Sequence, residues 1–176
     1  LYSERKIIMS FKKTDIMSMK FNPFESIGKK WMLITAGDKS GFNTMTASWG
    51  QMGVLWNKNI VTCYIRPNRF TYGFVENSDY FTLSFFSEDY RNALRICGSK
   101  SGRDCDKISE AGLTPVEIEN CMAFDEAETV IVCRKLYRQE LSLDCFPDKS
   151  AYGNAYDKDP VHVQYIAEIV GVYTKE

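Results

Sequence analysis

The chain has 176 residues, 22 Lys and Arg against 23 Asp and Glu, and a single histidine. Hydrophobic residues make up 44% and charged residues 26%, which is the composition of one folded domain with a sizeable core and excludes a disordered chain. The net charge of −1 argues against a nucleic-acid binder working through a basic surface, and equally against a polybasic membrane anchor.

Leu1–Phe11 is polar and charged, so no signal peptide is expected. Met9 is a plausible native start, which makes Leu1–Ile8 an expected upstream remnant and residues 9–176 a single domain. After this polar leader, Trp31–Ala36 reads as a strand closed by the turn Gly37–Gly41. Phe42–Gly50 reads as its hairpin partner, and Gly50, Gly53 and Asn57 then break the chain. Ile60–Ile65 is a short apolar strand stopped by Arg66-Pro67. Asn68 is the expected N-cap of a helix over about Arg69–Glu76. Tyr80–Phe85 alternates and is rich in aromatic and β-branched residues, the pattern of a strand.

Ser87 is placed to cap a second helix, Glu88–Cys97, and a loop Gly98–Gly102 leads to a third that ends near Gly112. Val116–Ile118, Met122–Phe124, Thr129–Leu141 and Val161–Tyr173 are strand-like, and Phe146–Pro160 reads as an exposed loop. Many strands with a few short helices predict an antiparallel barrel with helical insertions. No G-x-G-x-x-G follows a strand, which argues against a Rossmann domain.

No apolar run approaches the roughly 20 residues that span a bilayer. The six cysteines lie at least eight positions apart and form no C-x-x-C, so they read as reduced, mostly buried thiols of a cytoplasmic protein. One histidine leaves little room for a histidine-based metal site, and none is expected.

Four stretches are candidates for chemistry. In Thr44-Met45-Thr46-Ala47-Ser48-Trp49, strand alternation places Thr44, Thr46 and Ser48 on one face, either a hydroxyl row for a polar ligand or an ordinary exposed face. In Arg66-Pro67-Asn68-Arg69-Phe70-Thr71, two guanidinium forks and a hydroxyl flank a helix start, an arrangement suited to a phosphate or to a surface Arg pair held by carboxylates. Gly98-Ser99-Lys100-Ser101-Gly102-Arg103-Asp104 repeats this pattern, with an ordinary helix-connecting loop capped by Ser101 or Asp104 as the plainer reading. His162 sits in a strand, as a structural hydrogen-bonder or as a group that orients a ligand or donates a proton.

Several of these stretches, in this order, resemble the flavin reductase-like FMN-binding split-barrel family, close to its flavoredoxin branch. The similarity runs from about Phe24 to Tyr173 and rests on Trp31–Gly37, Gly41–Gly50, Leu55–Lys58, Arg66–Tyr72, Ser78–Phe86, Ser101–Asp104 and Tyr165–Ile169. Ala167 and Gly73 depart from the family pattern, which has glycine and glutamate there. The resemblance implies a mainly β Greek-key split barrel with a few short helices, forming a homodimer with FMN near the interface.

It further implies that Thr44, Met45, Thr46, Ala47, Ser48 and Trp49 hold the flavin, and that Arg66, Arg69, Phe70 and Thr71 hold its phosphate end. Ser101 and Gly102 would lie close by, from the same or the other subunit, and His162 is the one catalytic candidate. The implied activity passes electrons from NADH, NADPH or a redox protein, through bound FMN, to an acceptor. The alternatives are an FMN-binding electron carrier and a flavin-storage protein without turnover. Trp49, Trp56 and Phe70 are the expected dimer anchors.

Overall fold

The computed structural model describes residues 11–175. The expected remnant Leu1–Ile8 and the start at Met9 lie outside the described residues. Ten strands and four α-helices follow in order: β1 (Lys12–Thr14), α1 (Pro23–Ser26), β2 (Met32–Asp38), β3 (Gly41–Ala47), β4 (Gly50–Leu55), β5 (Lys58–Ile65), α2 (Phe70–Glu76), β6 (Tyr80–Phe85), α3 (Arg91–Ser99), α4 (Lys107–Glu110), β7 (Pro115–Ile118), β8 (Cys121–Phe124), β9 (Thr129–Glu140) and β10 (Val163–Thr174).

Eight strands make one antiparallel sheet in the order β3-β2-β6-β9-β10-β5-β4, with β1 added beside β10. β7 and β8 form a separate hairpin. β10 carries the sheet's change of direction. Its first half pairs with β5 and its last residues with β1, while β9 follows its full length through register shifts after Ile166 and Ile169. Such shifts bend and twist the strand, so the sheet curls. It does not close, because β3 and β4 end the path on opposite sides although only Ser48 and Trp49 separate them in sequence. The barrel is therefore split, and the chain crosses the split at Ser48-Trp49.

Two clusters fill the interior. Inside the curled sheet lie Ile34, Met45, Val61, Ile65, Leu83, Ile131, Val163 and Tyr165. On the outer face α3 and the β7–β8 hairpin cover Leu33, Phe86, Val130 and Val132. The helix does this with Ala93, Leu94 and Cys97, a one-sided stripe at helical spacing. Each large apolar side chain so buried contributes about 1.5–3 kcal/mol.

The structure corrects several expectations. Gly50–Leu55 is not a break but the edge strand β4, joined to β5 by a two-residue turn in which Trp56 and Asn57 have φ of 52° and 55°. Asparagine tolerates that left-handed region, and a pair of positive φ values gives the tight hairpin its twist. β3 ends at Ala47, short of Gly50. The polar leader contains β1 and α1, both too short for a periodic signal. Arg69, not Asn68, is the N-cap of α2, and it makes no side-chain capping bond. Glu88–Tyr90 is a 3₁₀ turn, and the α-helix begins only at Arg91 and continues through Gly98 to Ser99. Gly112 does follow α4 with φ of 68°, as a helix-ending glycine should.

Candidate functional site

Two cavities meet at the split. The first, about 220 Å³, is lined by Met45, Thr46, Ala47, Ser48 and Trp49 of β3 and the crossing, by Tyr64 and Arg66 at the end of β5, and by Arg69 and His162. Five consecutive residues line it because β3 is an edge strand, whose free backbone N–H and C=O groups face the opening. A polar heterocycle can therefore pair with main chain here. Trp49, half exposed, supplies an aromatic wall and packs on the His162 ring at 5.0 Å.

The hydroxyl row expected on this strand is mostly spent inside the protein. The Thr44 hydroxyl donates to Ile34 O at 3.2 Å and pairs with the Thr35 hydroxyl at 2.8 Å, so Thr44 is fully buried and lines neither cavity. Thr46 donates to Leu94 O at 2.5 Å because α3 packs over that face. Ser48, beyond the helix, makes no side-chain hydrogen bond among the described residues and remains available.

The second cavity, about 490 Å³, shares Met45, Arg66 and Arg69 with the first. Its other walls are Asn68, Phe70 and Thr71 at the start of α2, Ser99, Lys100, Ser101, Arg103 and Asp104 after α3, Lys107 of α4, and Asp159. Ser101 thus reaches it from the same chain. Arg69 donates to Gly98 O at 2.9 Å, and Lys107 to Cys97 O and Lys100 O, both at 3.1 Å, so two cations gather at the C-terminal end of α3. A guanidinium has five N–H donors and an ammonium three, so neither is exhausted.

Among the described residues, Arg69, Arg103 and Lys107 form no ion pair with a carboxylate, whereas Arg66 is held by Asp159 and Lys100 by Glu110. Burial pushes the pKa of Lys107 down, and Arg69 beside it adds to that. Burial lowers Arg69 in the same way, with Arg66 contributing. Cations that lower one another's ionisation around a polar cavity favour an anion between them.

Gly102 does not line either cavity. It packs against Asn43 and Phe70 and lets the 99–103 loop approach β3. Asn43, itself buried, donates to Thr71 Oγ1 at 2.8 Å and so fixes that hydroxyl at the cavity wall. Phe70 is half buried, edge-on to Phe74 and under the Arg103 guanidinium, not the exposed anchor expected of it. Cys97 is fully buried, and burial raises its thiol to about 11, which leaves it a packing residue.

His162 is buried, with its pKa pushed down to about 4 by burial first and by Arg66 second. Arg66 Nε donates to His162 Nε2 at 3.3 Å, and an arginine never accepts. Nε2 is therefore unprotonated, and Nδ1–H donates to Tyr156 Oη at 3.0 Å. A neutral histidine with both nitrogens engaged orients its neighbours and is no proton donor near neutral pH. Because its folded pKa lies below the usual 6.5, the unfolded chain binds a proton that the folded one refuses. Stability should fall as pH drops from about 6.5 toward 4, by roughly 1–2 kcal/mol after allowing for solvent screening. Urea midpoints at pH 7 and pH 4.5 should show this loss in the wild type and a smaller one in His162→Gln.

Sequence reasoning missed Lys107, Tyr64 and Asp159. Lys107 lies in Asp104-Cys105-Asp106-Lys107, where nothing marks a lysine as buried. Asp159 lies in a polar loop 93 positions after Arg66.

The architecture is that of a split β-barrel with its candidate site in the split. A family model described as the flavin reductase like domain matches residues 24–176, and the chain belongs to that family. Among solved structures, an FMN-binding domain of a flavin reductases-like enzyme from Shewanella baltica aligns with a TM-score of 0.68 at 16% identity, covering 94% of this chain and 78% of that one. Flavoredoxin from Methanosarcina acetivorans gives 0.65 at 19% identity over 84% and 69% of the two chains. Flavoredoxin of Desulfovibrio vulgaris gives 0.64 at 22% over 83% and 69%. These likenesses establish the fold. No curated protein sequence matches the chain. Among the described residues no helix is long and apolar enough to cross a membrane.

Proposed function

We propose that the protein is an FMN-binding oxidoreductase whose flavin ring lies along the free edge of β3 and whose phosphate lies in the adjoining polar cavity. The observation that carries this reading is the junction of a cavity on unpaired strand backbone with a second one ringed by three cations that have no carboxylate partner among the described residues. FMN has this division, a flat polar heterocycle at one end and a dianion at the other. The residues fit it: Ser48, Trp49 and the β3 backbone at the ring, and Arg69, Lys107, Thr71 and Ser101 at the phosphate.

The bound flavin supplies the redox chemistry. The chain's own residues bind, orient and exclude water. Trp49 and His162 wall one side of the ring cavity, and the hydrogen bond from His162 to Tyr156 holds the preceding segment in place. No side chain here needs to act as acid or base, which suits a site whose histidine is held neutral.

The electron donor is a reduced nicotinamide or a reduced protein. Purified protein is expected to carry or take up FMN, and anaerobic titration with NADH and NADPH should bleach its absorbance. Bleaching by a reduced redox protein alone would make it an electron carrier. No binding of FMN, and no rise in melting temperature on adding it, would overturn the flavin reading.

We propose in addition that the working form is a homodimer. Edge strand β4 and its turn expose Val54, Leu55 and Trp56, with Tyr137 packed beside Trp56 at a ring separation of 6.4 Å. An unpaired edge with aromatic anchors is suited to a self-complementary contact. Sedimentation at micromolar concentration should give twice the chain mass; a monomer there would refute the contact.

A further inference from the structure

We propose that Arg66 is a positioning residue that latches the 146–160 segment against His162 at the wall of the ring cavity, and that Asp159 keeps it from serving the phosphate. The inference rests on the flavin reading of the two cavities and divides the two arginines of the Arg66–Arg69 pair between different tasks.

The 146–160 segment and His162 meet Arg66 at each of its guanidinium nitrogens. Nη2 donates to Ala155 O at 2.9 Å, Nη1 lies 2.8 Å from Asp159 Oδ2, and Nε donates to His162 Nε2. The Tyr156 ring lies 5.7 Å from the guanidinium carbon. Asp159 is tied to the neighbouring strand end as well, since Asn68 Nδ2 donates to it at 3.4 Å. The contact at Nη1 is a close charge pair without an aligned hydrogen bond, because that atom has no hydrogen-bond partner although it is buried.

Arg69 differs on each point. Among the described residues it pairs with no carboxylate, and its guanidinium donates to the Gly98 carbonyl. A phosphate brought onto Arg66 would sit beside the Asp159 carboxylate, and two anions on one fork repel. The same phosphate on Arg69 and Lys107 meets uncompensated positive charge. Arg66 therefore acts on the ring side through the segment it holds. That segment carries a run of rings in contact, Phe146, Tyr152 and Tyr156, leading to His162 and Trp49 at the cavity wall.

The test separates phosphate from ring. Riboflavin has the ring and ribityl chain of FMN without the phosphate, so a phosphate ligand changes the ratio of the two affinities and a ring-side latch changes both alike. In the full chain, Arg66→Lys keeps the charge but cannot fork to Ala155 and Asp159 together. It should weaken FMN and riboflavin by the same factor, about 10-fold, with their ratio moving less than about twofold. Trypsin should also cut at Lys149 several-fold faster, since the segment is unlatched. Asp159→Asn should speed that cleavage too and raise the FMN preference about threefold by freeing Arg66 for the phosphate. Asp159 is over half exposed, so this variant keeps the test open if Arg66→Lys folds poorly.

A fall of 10-fold or more in FMN preference for Arg66→Lys, with cleavage at Lys149 unchanged, would make Arg66 a phosphate ligand and overturn the proposal. If the wild type binds neither flavin, the flavin reading fails by itself. The latch is then judged on cleavage: faster cutting in both variants sustains it, and unchanged cutting in both refutes it.

Discussion

Arg69→Ala is expected to weaken FMN binding by about 30- to 100-fold while moving riboflavin binding by less than about threefold. A charge-assisted hydrogen bond to a phosphate contributes about 1.5–3 kcal/mol, and each 1.4 kcal/mol is a factor of ten. Arg69 is partly buried at the junction of the two cavities, lacks a carboxylate partner among the described residues, and shares the end of α3 with Lys107. Removing it takes away one of the three charges that the cavity can direct at a dianion. The measurement is quenching of flavin fluorescence with both ligands. Equal loss of the two would place Arg69 on the ring side and move the phosphate elsewhere.

Gly102→Ala is expected to lower stability by about 1–3 kcal/mol and to weaken FMN binding at the same time. A Cβ at this position would fall on Asn43 Oδ1, and the Phe70 ring closes the other side at 3.1 Å. Asn43 is 4% exposed and is held in place by its bond to Thr71 Oγ1. To clear the methyl it must give up its bond to Thr71 Oγ1, which releases the hydroxyl at the cavity wall and loosens the start of α2. Urea denaturation gives the stability change and flavin titration the binding change. A variant as stable as the wild type and unchanged in FMN affinity would show that the loop moves away without cost, and the coupling from Gly102 through Asn43 to Thr71 would be wrong.

The two variants show where local pattern was sufficient and where it was not. The Arg66–Thr71 motif is legible because two forks and a hydroxyl fall within six residues, and Arg66, Arg69, Phe70 and Thr71 all line the polar cavity, although a carboxylate, Asp159, holds Arg66 as the plainer reading allows. Gly102 is legible as a loop glycine, but that it gives clearance to Asn43, 59 positions earlier, is visible only in the structure. Thr44 and Thr46 were visible as a hydroxyl row, yet α3 and the β2–β3 pairing consume both hydroxyls. β4 was hidden by Gly50 and Gly53, which lower strand propensity in a segment that the β5 edge nevertheless orders. Lys107 carried no signal, since a lysine is almost always exposed and its burial depends on two carbonyls at the end of another helix.

The balanced charge of the chain excludes a broad basic surface, and the cations that matter are Arg69, Arg103 and Lys107 around one cavity, invisible in a total of −1. The sequence by itself determined the strand-rich class, most strands, the Arg66–Arg69 pair and the family, because alternation, turn residues and short motifs are local properties of the chain. Only the tertiary structure decided that the sheet stays open between β3 and β4, that the free β3 edge forms a cavity wall, and that Asp159 lies on Arg66 and not on Arg69. Each of these depends on residues tens of positions apart meeting across a curled sheet, and pairing over such distances is set by packing and register, which no local pattern encodes.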